Sequence, residues 1–142
     1  MRRILALDVG DRRIGFAVSD PLCITAQGLE TYTRATDDID KDVEYICEMA
    51  KKYAPVKLLY GLPKNMDGSL GFSAQKVLDL AELVSKHTEF EHDFYDERLT
   101  TMMVERVLYE EKLDWKKRRK VVDKLAAVVI LQGYLDSGLA LK

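Results

Sequence analysis

The sequence predicts a single α/β domain over residues 1–142, built on a mixed five-stranded sheet with helices on both faces. Three observations carry that expectation. The run Ile4-Leu5-Ala6-Leu7 is wholly apolar, the signature of a central strand covered on both sides. Two more extended segments follow it closely enough to form an antiparallel meander. Beyond residue 37 the pattern alternates between helical spacing and short apolar runs, which places helices on a sheet with parallel strands.

The elements follow in order. Arg3 to Val9 reads as the first strand, and Gly10 to Arg12 as a short turn. Arg13 to Ser19 sets Ile14, Phe16 and Val18 against Arg13, Gly15 and Ala17, the two-residue period of a paired strand. Gly28 to Thr33 completes the meander. Asp37 and Asp38 suit a helix N-terminus, and Ile39, Val43, Ile46, Ala50 and Tyr53 follow at helical spacing until Pro55. Val56 to Tyr60 is a short apolar strand. The polar loop KNMDGSLG then leads to a helix from about Ser73 to Lys86. Glu91 to Tyr95 is the fifth strand, and a helix is expected from near Thr100. A basic stretch, Trp115 to Lys120, precedes a last helix from about Val121 to Leu135 that is apolar on nearly all sides.

Composition narrows the function classes. Apolar residues make up 47% and charged residues 32%, which describes an ordinary globular chain. The formal net charge is −2, so nucleic-acid binding would rest on local basic patches rather than a global field. Cys23 and Cys47 stand apart from each other and from any histidine at ligand spacing, which argues against zinc and for a reducing, cytoplasmic setting. No apolar run approaches membrane-spanning length.

Three carboxylates stand out. Asp8 ends the first strand on the same side as Ile4 and Ala6, and burying it costs several kcal/mol without a partner. It can open a hairpin turn or serve a site at the strand end. Glu97 follows the fifth strand within DERLTT, where it can pair with Arg98, favour the next helix or join that site; Asp96 could take the same role. Asp123 interrupts the most apolar helix, with Ala126, Ala127 and Ile130 three, four and seven residues on. It could equally be a first-turn acid. Three converging carboxylates would repel one another unless divalent cations neutralise them. Hard oxygen ligands suit magnesium or manganese, and a two-ion site with about 3.5–4 Å between ions can hydrolyse a phosphodiester.

Four ordered segments, LDVGDRRIGFAVSD, YGLPKNMDGS, DERLTT and VDKLAAVVILQGYLD, resemble those of the YqgF family across essentially the whole chain. The resemblance implies a ribonuclease H-like fold and a magnesium- or manganese-dependent nuclease. It further implies maturation of the 5′ end of the 16S ribosomal RNA precursor, or by fold analogy resolution of four-way DNA junctions. The family's catalytic, metal-holding acids fall on Asp8, Glu97 and Asp123. Asp11 departs from the hydroxyl or basic residue usual at its position, placing an extra acid beside the site.

The same resemblance puts the loop after the fourth strand at the nucleic-acid face. There Lys64 can meet a phosphate and Asn65 can donate a hydrogen bond. Arg12, Arg13 and Arg98 are candidate phosphate contacts near the acids. Arg118 and Arg119, in the basic run before Asp123, could either cap a solvated helix end or guide a phosphate backbone. The expected partners are structured RNA, branched DNA or ribosomal precursor particles, with the chain a monomer or homodimer. Two other readings remain: a non-catalytic RNA-binding assembly factor, and an ATPase, for which a Gly-Lys-Ser/Thr phosphate loop is missing.

Overall fold

A computed structural model describes residues 2–65, 67–96 and 115–137, the last segment by its backbone alone as far as residue 124. Its elements are β1 (Arg3–Val9), β2 (Arg13–Ser19), β3 (Ala26–Gly28), β4 (Tyr32–Thr33), α1 (Ile39–Lys52), β5 (Val56–Leu62), α2 (Phe72–His87), β6 (His92–Asp96) and α3 (Trp115–Asp136). The helix expected from Thr100 lies outside the described residues.

The sheet runs β3-β2-β1-β5-β6, with β4 also paired to β2. β1 pairs antiparallel with β2 and parallel with β5, and β5 pairs parallel with β6. A mixed sheet therefore forms as expected, with β1 at its centre. The expected third strand, Gly28 to Thr33, divides into β3 and β4, both on the same edge of β2. The reason is local. β2 pairs Ala17 with Gly28 but Ile14 with Tyr32, so a span of three residues on β2 faces a span of four on the partner segment, and the extra residue interrupts the ladder.

Side-chain alternation splits the interior into two layers. Leu5, Leu7, Ile14, Phe16, Leu58 and Tyr60 face α1 and α2, meeting Val43, Ile46, Val77 and Leu80. Ile4, Ala6, Ala17 and Leu59 face α3, meeting Ala127, Ile130, Leu131 and Tyr134. Two alanines on the strands and one on the helix let α3 lie close to the sheet. At Gly133 the approach leaves no room for a side chain, because a Cβ there would sit 2.8 Å from the Tyr95 hydroxyl.

Helix boundaries follow their caps. Asp38 accepts the Lys41 N–H at the start of α1, at 3.4 Å. α3 begins six residues before the expected Val121, because Lys116 to Lys120 are good helix formers that extend the helix instead of preceding it. Among the described residues no helix is long and apolar enough to cross a membrane.

Candidate nucleic-acid-cleaving site

β1 and β5 run parallel, so their carboxyl ends lie side by side, and the site is built there. Asp8 is half-buried one residue before the end of β1. Its partner on β2 is Gly15, and one step beyond the Leu7–Tyr60 pair β5 presents the buried Gly61. Asp8 thus has glycine beside it on both strands, and on the sheet face it shares with Ile4 and Ala6 nothing bulky from those neighbours crowds it. That face is the one α3 covers.

The turn after Asp8 is held tightly. Gly10 donates its N–H to the Arg13 carbonyl at 2.8 Å, and a Cβ on Gly10 would come within 3.1 Å of that oxygen. Arg34 clamps the same turn, its N–H reaching the Arg12 carbonyl at 2.8 Å and its guanidinium the Gly10 carbonyl at 2.9 Å. Arg34 is held in turn by Asp42 on α1, through a 2.9 Å Nε–Oδ2 ion pair. Asp42 also accepts from the Tyr32 hydroxyl at 3.0 Å and the Ala35 N–H at 3.1 Å. Burial and this neighbouring carboxylate push the Tyr32 hydroxyl's pKa up. A chain of charge-assisted contacts therefore runs from α1 to the turn that follows Asp8.

A cavity of about 260 Å³ opens at this strand end, lined among others by Asp8, Asp11, Arg34, Pro63, Ser73 and Lys76. Lys76 of α2 reaches across it to Asp11, with Nζ 3.1 Å from Oδ1. The loop after β5 folds on itself beside the cavity. Lys64 pairs with Leu70, and Asn65 accepts the Gly68 N–H on its carbonyl at 2.8 Å and donates its own N–H to Ser69 at 3.0 Å. Gly68 there has φ 86°, a left-handed conformation that favours glycine. The Asn65 amide donates to the Ser69 hydroxyl at 3.0 Å and packs against Gly71 at the start of α2.

The site residues expected from the sequence are distributed as follows. Asp8 and Pro63 line the cavity, and Lys64 directly follows Pro63 without being a lining residue itself. Arg12 is exposed in the turn, while Arg13 shares the strand face of Gly15 and Ala17, hence that of Asp8. Glu97 and Arg98 lie outside the described residues, β6 ending at Asp96. Asp123, Arg118 and Arg119 fall on the described backbone of α3, without described side chains. Among the described residues no three acidic, histidine or cysteine side chains converge as a metal cluster.

Two participants were not anticipated. Asp42 could have been found, since it stands three residues after Ile39 and four before Ile46, on the apolar stripe of α1. Lys76 carries no such signal, because its partner Asp11 is 65 residues away in the chain.

A mixed sheet in this order, helices on both faces and an acid at the carboxyl end of the central strand define a ribonuclease H-like fold. The fold is shared with solved resolvases. "T. thermophilus RuvC in complex with Holliday junction substrate" aligns with TM-score 0.63 over 99% of this chain and 97% of that one, at 13% identity. The fowlpox virus Holliday junction resolvase aligns with TM-score 0.59 over 95% and 98%, at 12% identity. The chain belongs to the RuvX family, described as Holliday junction resolvase, whose model matches residues 2–137. Its relatives include proteins named "Putative pre-16S rRNA nuclease". One from Clostridium botulinum strain Hall is 48% identical over 136 residues, covering 95% of this chain and 97% of the relative. Another, from Desulforamulus reducens, is 47% identical over 136 residues, covering 96% and 98%.

Proposed function

We propose that this chain is a divalent-metal-dependent endonuclease that trims the 5′ end of precursor 16S ribosomal RNA. Membership of a resolvase and nuclease family carries the reaction class, phosphodiester hydrolysis, and the substrate class, nucleic acid. The observation that carries the mechanism is Asp8 at the carboxyl end of the central strand, with glycine on both neighbouring strands.

Asp8 suits magnesium or manganese: it is a hard oxygen donor, and the flanking glycines leave room beside it. Glu97 and Asp123 would complete the holding set, with two ions in keeping with three carboxylates. Such ions supply positive charge at the scissile phosphate. Helix geometry supports the part given to Asp123. Tyr134 hydrogen-bonds Lys57 and Asp93 near the amino ends of β5 and β6, and the preceding turns of α3 pack over Ala6 and Ala17. Asp123 is eleven residues earlier, roughly 16 Å along the helix. Asp8 lies roughly 13 Å along β1 from Ile4. The protein's own contribution is positional. Asp42 and Arg34 fix the turn after Asp8, and Arg12, Arg13, Lys64, Arg98, Arg118 and Arg119 are the cations proposed to hold the phosphate backbone against it.

The substrate assignment rests on the 47–48% identical relatives, whose printed name specifies pre-16S rRNA. The test compares cleavage of a precursor 16S fragment and a four-way DNA junction in magnesium, wild type against Asp8→Asn. The wild type should cut the RNA, and Asp8→Asn should lose more than about a hundredfold in rate with an unchanged urea midpoint. Undiminished cleavage by Asp8→Asn rejects the mechanism. Cleavage of the junction alone replaces the RNA assignment with junction resolution.

A further inference from the structure

Phe72 opens α2 with its side chain in solvent, 79% exposed, and Leu70 just before it is 53% exposed. Large exposed apolar groups are not unusual singly, but this one is organised. Lys76, one helical turn on, places its ammonium 4.6 Å from the centre of the Phe72 ring. The same ammonium is 3.1 Å from Asp11. Ser73 and Lys76 line the cavity that Asp8 also lines, so the Phe72–Lys76 pair flanks the carboxyl end of β1 from the α2 side of the sheet.

We propose that Phe72 and Lys76 form a binding site for one unpaired nucleotide of the substrate, the ring stacking on its base and the ammonium taking its phosphate. The inference rests on the nuclease reading of the site and adds to it a contact selective for unpaired strands. The chemistry matches on both counts. A base presents a π-face to an aromatic ring whatever its identity, so the contact reads single-strandedness rather than sequence. An ammonium held by an exposed carboxylate exchanges that partner for a phosphate at little cost, because solvent-exposed ion pairs contribute little. Asp11 thus holds Lys76 in place until substrate arrives.

Charge marks the direction of the strand. Beside Lys76 a second cavity, of about 500 Å³, is lined by five aspartates and by the cations Arg34 and Lys76, an acidic excess that disfavours a phosphate backbone. On the other side stand Ser73 and Pro63, which line the Asp8 cavity. The backbone is therefore steered from Phe72 past Lys76 toward Asp8 and not over the start of α1.

The test measures binding of a fluorescein-labelled RNA hairpin with an unpaired 5′ extension, and of the same hairpin blunt-ended, in calcium to suppress cleavage. The wild type should prefer the extended hairpin. Phe72→Ala should weaken that binding about five- to hundredfold and leave blunt-hairpin binding unchanged, whereas Phe72→Trp should retain the preference. Lys76→Ala should lower the slope of log K against log salt by about 0.7–0.9, and Lys76→Arg should restore it. Asp11→Asn should tighten binding of the extended hairpin. The inference is overturned if Phe72→Ala binds both hairpins like the wild type, or if the wild type shows no preference for the extension. Those results leave the loss of cleavage in Asp8→Asn untouched, so the two readings fail separately.

Discussion

At position 42 a carboxylate occupies the apolar stripe of α1, its side chain only 2% exposed, and three groups converge on it: Arg34, the Tyr32 hydroxyl and the Ala35 N–H. Removing it would strand a guanidinium whose own exposure is 17%. Breaking a buried pair from one side typically costs about 3–5 kcal/mol, because the remaining charge keeps its desolvation penalty. Asp42→Ala should therefore lower the unfolding free energy by about 3 kcal/mol. Asp42→Asn should lose less, since an amide oxygen can still accept from Ala35 or Tyr32. Urea unfolding checks both, read as a shift of midpoint at constant slope. Equal stability of Asp42→Ala and wild type would mean that the Arg34 clamp does not hold the fold. Residue-level patterning singled out Asp8 and Asp123 as candidates for the same reason that it could have singled out Asp42. An acid at an apolar position breaks a period, and the period is readable from one chain. Phe72 and Lys76 break none, so their roles emerge only with exposure and distance.

Among the elements, α3 lies close against the sheet where Gly133 meets Tyr95. In an open helix, glycine to alanine stabilises by about 1 kcal/mol. Here the added methyl would lie 2.8 Å from the Tyr95 hydroxyl and 3.3 Å from two ring carbons. The ring cannot swing freely, because it packs edge-on against the buried Tyr134 at 6.2 Å between centroids. Overpacking of this kind costs about 1–3 kcal/mol and outweighs the propensity gain. Gly133→Ala should be destabilising in the wild type and close to neutral in a Tyr95→Phe background, where the nearest atom is gone. Thermal unfolding of the four proteins of that cycle measures the coupling, and additive effects would exclude the contact as the cause. Element boundaries were legible where a cap or an apolar period marked them, as in α1 and α2. They were not legible in β3 and β4, where a one-residue shift of register against β2 makes the break. Nor was the early start of α3, since a run of lysine and arginine is compatible with both a helix and a loop.

Over the whole molecule, the alternation of strand and helix patterns was enough to foresee the mixed sheet, because every layer must bury an apolar face. It could not foresee which polar atoms that burial would trap. Tyr60 and Tyr134 lie fully buried on opposite sides of the sheet, and Tyr32 stacks on Tyr45 of α1. Burial, the main cause in each case, pushes all four hydroxyls above the usual tyrosine range. The sign of the linkage follows. Above about pH 10 the unfolded chain releases these protons while the folded chain keeps them. The folded state then holds more protons, and stability falls as pH rises. Stability from these groups is fully present below about pH 9 and is lost through pH 10 and beyond. Tyr60 adds a second effect, since its buried hydroxyl has no hydrogen-bond partner among the described residues. Leaving such a group unmade costs about 1–3 kcal/mol, so Tyr60→Phe should be more stable than the wild type by about 1 kcal/mol at pH 8. With one fewer titrating group, its loss of stability between pH 9.5 and 11 should also be shallower. Urea unfolding at those three pH values separates the effects. A parallel fall in both proteins would show that Tyr60 does not contribute to the alkaline transition, and a less stable Tyr60→Phe at pH 8 would show that its hydroxyl has a partner.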